Sequence, residues 1–141
     1  MNINIRSSRG NYKVIEFDFS KFLFSKTSKN FFYIIDFNVY KKNKHLKKIK
    51  NNLVIIKASE NIKDYKNISQ IISKLLNLKI KRDSILIGIG GGITQDITGF
   101  IASIIFRGIK WDFVPTTVLA QCDSCIGGKT SINFEKTKNQ L

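Results

Sequence analysis

Proline is almost missing from this sequence; the single one is Pro115. A chain so poor in proline keeps nearly all its backbone N–H donors, leaving long stretches free to form helices and strand ladders. Cysteine is scarce too. Cys122 and Cys125 are the only two, too few for the disulfide framework of a small secreted domain. No apolar run approaches the ~20 residues that a membrane span needs. The opening MNINIRSSRG has no apolar segment of the kind a secretory signal carries, so a cytoplasmic location is expected and no membrane is involved. Acidic residues are few, with 10 Asp and Glu against 24 Lys and Arg, for a formal net charge of +14.

That excess could serve a polyanion binder. The densest basic stretch, KKNKHLKKIK at residues 41–50, has neither interleaved aromatics nor a nucleic-acid motif. A bias toward lysine, asparagine and isoleucine on an ordinary surface explains it, and nucleic acid is not the expected partner. An anionic small substrate would also be drawn by the field. What is present in quantity is core-forming material. The 141 residues are 43% hydrophobic and 11% aromatic, which suits one packed domain without an internal repeat or linker. All the glycines except Gly10 lie between Gly88 and Gly128, marking where unusual backbone geometry is needed.

Hydrophobic periodicity orders the rest. Residues 12–19 (YKVIEFDF) alternate like a half-buried strand. Residues 31–36 (FFYIID) and 53–57 (LVIIK) are short β-branched or aromatic runs that suit strands. Residues 41–52 form a basic helix or loop with a solvated His45. Ile62, Tyr65, Ile68, Ile72, Leu75 and Leu76 recur at helical spacing up to Asn77. Residues 84–89 are a strand broken by Gly90, Gly91 and Gly92, and residues 94–106 a helix whose Gly99, Ala102 and Ser103 permit close approach. Residues 111–114 are a strand closed by Pro115, and a helical turn begins at Thr116. Strands alternating with helices predict an α/β fold with a largely parallel sheet.

Two segments carry chemistry. A strand, a glycine run and a helix together can present backbone N–H groups to a phosphate, although three glycines also suit a plain tight turn. Ile93 stands where the dinucleotide fingerprint needs its last glycine, and Asp123 where a P-loop needs its first. Between Pro115 and Asn139 lie Thr116, Thr117, Gln121, Asp123, Ser124, Lys129, Thr130, Asn133, Lys138 and Asn139. The two lysines could bind phosphate or carboxylate, and Asp123 could orient a hydroxyl or move a proton. By residue type alone this is an anion or sugar site, or a solvated loop.

Residues 89–141 closely resemble the signature of 3-dehydroquinate synthases and related sugar phosphate cyclases. Members carry G-G-G-V-x-x-D-x-x-G-F, then R-G, then P-T-T-L-L-A-Q-x-D-S-S-x-G-G-K-T, then N and K-N; nearly every element stands here in order and at the same spacing. Upstream the likeness is weaker: D-x-N-V is met by Asp36, Asn38 and Val39, and G-E-x-x-K by Glu60 and Lys63, with Ser59 in place of the glycine. The resemblance implies a Rossmann-like N-terminal domain, a largely parallel sheet flanked by helices, with NAD lying across it. Asp36, Asn38, Glu60 and Lys63 would hold the adenosine and ribose side. Gly91, Gly92, Ile93 and Asp96 would cradle the pyrophosphate, Thr116 and Thr117 would lie further along, and Lys138 would rest against the cofactor.

On the substrate side the resemblance assigns Asp123, Lys129 and Asn139 to the sugar's hydroxyls and phosphate, and Arg107 to a neighbouring subunit's site, which implies a homodimer. The implied reaction is closure of 3-deoxy-arabino-heptulosonate 7-phosphate to 3-dehydroquinate with loss of phosphate, a shikimate-pathway step. It uses recycled NAD and a divalent metal, zinc or cobalt. After Asn133, Phe134 and the missing P-L-G look closer to sibling cyclases acting on sedoheptulose 7-phosphate, such as 2-epi-5-epi-valiolone synthase. Cys122 and Cys125 replace the family's Val and Ser; they are read as small buried hydrophobes and not as a zinc or redox pair. Members continue into a helical domain supplying a Glu and two His as metal ligands. With none of these in residues 1–141, the chain is expected to be a truncated NAD-binding domain, inactive alone.

Overall fold

The run FFYIID is apolar at consecutive positions because both of its faces are covered. In the computed structural model, which describes residues 2–6, 10–25, 30–126, 130–135 and 137–140, these residues form the strand β3 (Phe31–Asp36) of a four-stranded sheet. The strands β1 (Asn2–Ile5) and β2 (Tyr12–Ile15) precede it as a separate antiparallel pair, Asn2 opposite Ile15 and Ile5 opposite Tyr12. The strand expected over residues 12–19 is therefore shorter. At Asp18 the side chain accepts N–H bonds from Ser20 and Lys21, and the helix α1 (Phe19–Ser25) begins there.

The main sheet adds β4 (Leu53–Ile56), β5 (Ile85–Gly90) and β6 (Lys110–Pro115) in the order β4-β3-β5-β6, with every pairing parallel. Phe32, Ile34, Val54, Ile56 and Leu86 point to one face, under the helices α3 (Tyr65–Asn77) and α4 (Gly92–Ile104). Tyr33, Ile35, Ile87, Ile89 and Val114 point to the other. There they meet Phe19 and Phe22 of α1, Val39 and Tyr40 of α2 (Phe37–Lys42), and Leu46. A parallel sheet buried on both sides reads as continuous hydrophobic runs and not as alternation. Each fully buried isoleucine contributes roughly 1.5–3 kcal/mol by leaving water.

Between residues 41 and 52 the basic stretch is the end of α2, a short 3-10 turn (Leu46–Lys48) and loop, with His45 exposed as expected. The helix expected from Ile62 starts later. A 3-10 turn (Glu60–Lys63) comes first, and then Asp64 caps α3, its Oδ1 accepting from the Lys66 N–H at 2.8 Å. That break shifts the helical phase, so Ile68, Ile71 and Leu75 are buried while Tyr65 and Leu76 are exposed. Helix α4 begins at Gly92 instead of Thr94 and gives way at Ile105 to a 3-10 turn. It lies so close on β5 that a Cβ at Gly88 would stand 2.5 Å from Thr98 Oγ1. Gly99 meets the Trp111 ring and Ala102 is buried, whereas Ser103 is exposed and plays no part in that approach. No helix among the described residues is long and apolar enough to cross a membrane.

Candidate functional site

In the sheet order, β4 lies on one side of β3 and β5 on the other. The chain's direction of winding reverses between β3 and β5, and open α/β sheets bind ligands at the carboxyl ends of strands beside such a reversal. The residues at that edge are Asp36 at the end of β3 and Gly90, Gly91 and Gly92 at the end of β5. The segments after β4 and β6 flank them, carrying Glu60 and Lys63 on one side and Thr116 and Thr117 on the other.

Asp36 is buried and caps α2, its Oδ1 accepting from the N–H groups of Asn38 at 2.9 Å and Val39 at 3.1 Å. Its Oδ2 accepts from the Ala58 N–H at 3.3 Å, tying β3 to the loop after β4. Asn38 itself is exposed. At the other lip, Gly91 caps α4 without any side-chain hydrogen bond, so the helix start offers its N–H groups outward. Thr116 N–H donates to Gly90 O at 2.8 Å, and a Cβ on Gly91 would come within 3.3 Å of Thr117 Cγ2. Thr94 Oγ1 and Gln95 Oε1 are buried in this first turn without a hydrogen-bond partner among the described residues. An uncapped helix start and bare glycine backbone suit the phosphates of a dinucleotide. Asp36 Oδ2, with one donor, retains lone pairs for a sugar hydroxyl.

Four expected site residues form one network. Lys63, 4% exposed, donates to Asp96 Oδ2 at 2.8 Å and to Asn139 Oδ1 at 2.7 Å. Ser131 Oγ also donates to Asn139 Oδ1, at 3.1 Å. Asn139 N–H donates to Asn133 Oδ1 at 3.0 Å, while Asn133 Nδ2 donates to Glu60 Oε1 at 2.9 Å. Burial pushes the Asp96 carboxyl above its ordinary range, and the hydrogen bond and charge of Lys63 pull only part of the way back. Asn139, expected on the substrate side, is thus hydrogen-bonded directly to Lys63, expected on the cofactor side.

Asn133 was named only within the polar segment after Pro115 and in the family pattern, with no role of its own, and Ser131 was not singled out. Gln95 was missed as well: its Nε2 donates to the Ser124 carbonyl, linking α4 to the segment after β6. Thr116, Thr117, Asp123 and Lys138 are exposed, and none of them enters the Lys63 network. Ile93 lies half-buried in the first turn of α4. Arg107 is exposed beyond the far end of α4, roughly 20 Å from Gly91 at 1.5 Å per residue. Lys129 lies outside the described residues.

The expectation that both cysteines are buried is overturned. Cys122 is exposed and Cys125 only half-buried, on a short π-helical turn (Ala120–Ser124) and its C-cap, where Ala120 is the residue that packs inward. Among the described residues no group of three or more His, Cys, Asp or Glu could hold a metal ion.

The parallel sheet, its reversal point and the polar edge above it define a Rossmann-like α/β domain. Residues 53–141 match the family model described as 3-dehydroquinate synthase N-terminal, and the chain belongs to that family. Among curated relatives, a 3-dehydroquinate synthase of Picrophilus torridus is 49% identical over 108 residues, 77% of this chain and 31% of its own length. One from Buchnera aphidicola is 50% identical over 88 residues, 62% of this chain and 25% of its own length. The chain thus spans about a quarter to a third of these relatives. Among solved structures, a 2-epi-5-epi-valiolone synthase from Streptomyces hygroscopicus subsp. jinggangensis, with NAD+ and Zn2+ bound, superposes with a TM-score of 0.72 at 26% identity. That match covers 79% of this chain and 34% of the other. A 2-deoxy-scyllo-inosose synthase complexed with carbaglucose-6-phosphate, NAD+ and Co2+ superposes with a TM-score of 0.81 at 21% identity, over 100% of this chain and 42% of the other. At that identity the second likeness speaks to fold alone.

Proposed function

We propose that residues 1–141 are the NAD-binding N-terminal domain of a sugar phosphate cyclase acting as a 3-dehydroquinate synthase. The observation that carries the proposal is the pairing, across one strand reversal, of the buried Asp36 carboxylate with the uncapped glycine start of α4. Asp36, Asn38, Glu60 and Lys63 serve the adenosine side. Gly91, Gly92, Ile93 and Asp96 serve the pyrophosphate, Thr116 and Thr117 the next stretch, and Lys138 flanks the cofactor. When bound, NAD supplies reversible hydride acceptance from one substrate hydroxyl.

The chain's own residues bind and orient. Asp123, Lys129 and Asn139 hold the hydroxyls and phosphate of 3-deoxy-arabino-heptulosonate 7-phosphate on its way to 3-dehydroquinate. Arg107, far from the glycine turn, serves a second subunit's site in a homodimer. The residues described here do not fit a divalent metal, and we assign the zinc or cobalt of the family to ligands in a further domain. The 141 residues then bind NAD but do not turn substrate over; turnover by the purified chain with NAD and zinc would refute that. Phe134 and the missing P-L-G after Asn133, together with the likeness to a 2-epi-5-epi-valiolone synthase at 26% identity, support a second reading in which the substrate is sedoheptulose 7-phosphate.

Calorimetric titration of NAD tests the binding site. The wild-type chain is expected to bind saturably. Gly91→Val, whose side chain would press on Thr117, is expected to weaken binding about tenfold, or ~1.4 kcal/mol. No saturable binding by the wild type, or equal affinity in the variant, would sink the assignment.

A further inference from the structure

Two thiols three residues apart on a helical turn, neither of them buried, are not core-filling. Cys122 is exposed and Cys125 half-buried, with Cys125 Sγ directed at the Gln121 carbonyl at 3.1 Å. In a helical turn, Cα atoms three apart lie about 5–6 Å from one another, inside the span a disulfide bridges. The two thiols sense each other, since the charge of Cys122 is among the influences raising the Cys125 thiol, behind the larger effect of burial. Their segment follows a parallel strand of an α/β sheet, the setting in which C-x-x-C serves dithiol chemistry.

We propose that Cys122 and Cys125 form a redox-active dithiol, a modification site that exchanges with small disulfides of the glutathione type to close an intramolecular bridge. Cys122, the accessible sulfur, attacks as its thiolate and breaks the S–S bond of oxidised glutathione. One glutathione leaves as thiolate, and a mixed disulfide remains. Cys125, deprotonated in turn, attacks the Cys122 sulfur and expels the second glutathione. The two cysteine protons end on the two released glutathiones, and the two electrons lost by the protein reduce one glutathione disulfide.

The ring so closed encloses Asp123 and Ser124. Ser124 is tied to α4 by its carbonyl, which accepts from Gln95 Nε2, and its Oγ stands 3.7 Å from where a Cβ on Gly92 would be. Oxidation therefore acts on the turn that abuts the glycine start of α4. The exchange chemistry itself does not depend on whether NAD binds there. A bridge with one sulfur exposed and the other half-buried is the kind that forms and breaks readily and does not serve as a permanent staple.

The test is to equilibrate the chain across ratios of oxidised to reduced glutathione, quench with an alkylating reagent and weigh the intact protein. The expected result is a species lighter by two hydrogens, with both cysteines protected, that rises with the oxidised ratio and reverts with reduced glutathione. Cys125→Ser is expected to stop at the glutathione adduct of Cys122. Cys122→Ser is expected to react about tenfold more slowly than wild type, because the remaining thiol is half-buried and its pKa is raised. Full alkylation of both thiols at every ratio would overturn the proposal. So would a persistent glutathione adduct on the wild type, or a disulfide-linked dimer in place of the internal bridge.

Discussion

Lys63 is a cation almost without solvent contact, held by one carboxylate and one amide oxygen. Taking an ammonium out of water costs several kcal/mol, and the pair with Asp96 repays that only while both partners remain. The folded chain also holds a proton on Asp96 more tightly than the unfolded chain does, since the carboxyl is pushed above its ordinary 3.8. The stability linked to that proton is present in full below 3.8 and is lost as pH rises through the raised value. Wild-type urea midpoints should therefore fall relative to those of Asp96→Asn as pH climbs from roughly 3 to 6. In Lys63→Met, where only the Ser131 backbone hydrogen bond is left to pull the carboxyl down, the decline should continue to higher pH. A wild-type minus Asp96→Asn difference that stays flat across that range would count against this account.

Among the elements, the end of α3 shows a local rule obeyed with the wrong residue. Ile80 N–H donates to Leu75 O at 3.2 Å and Lys79 N–H to Leu76 O at 2.9 Å. Leu75 and Ile80 share the same core, so the cap is a Schellman motif with its hydrophobic contact. The residue in the left-handed position is Lys79, with φ 66°, where glycine is preferred because a Cβ crowds the carbonyl. Lys79→Gly is expected to stabilise the fold by about 0.5–1 kcal/mol, read as a higher denaturation midpoint at unchanged slope. A lower midpoint would mean that the lysine side chain contributes more than its backbone strain costs.

The same element shows what the sequence could and could not tell. The end of α3 near Asn77 was legible because the periodicity stops there. Its burial face was not, because the 3-10 turn and the Asp64 cap reset the phase by an amount that spacing does not reveal. The strands β3, β4 and β5 were readable as short β-branched runs. By contrast β1, of 4 residues, and α1, of 7, are too short to imprint a period. At the site, motif residues were legible, but the network joining Lys63, Asp96, Asn133 and Asn139 depends on chain crossings 33 and 76 residues long. No local pattern encodes those.

For the molecule as a whole, the charge of +14 over 141 residues is the largest unbalanced feature. Like charges on one surface repel and favour the expanded chain, and salt weakens that repulsion over a Debye length of about 10 Å at 0.1 M. The one ion pair at the site is partly buried and is screened much less. Raising sodium chloride from roughly 10 to 200 mM should therefore raise the thermal midpoint by a few degrees. The gain should shrink in variants that replace lysines of the 41–50 run with glutamine, where repulsion is concentrated. If salt lowered the midpoint instead, attractive surface pairs would outweigh the repulsion, and the lysines would be structural partners of the few acids and not decoration around them.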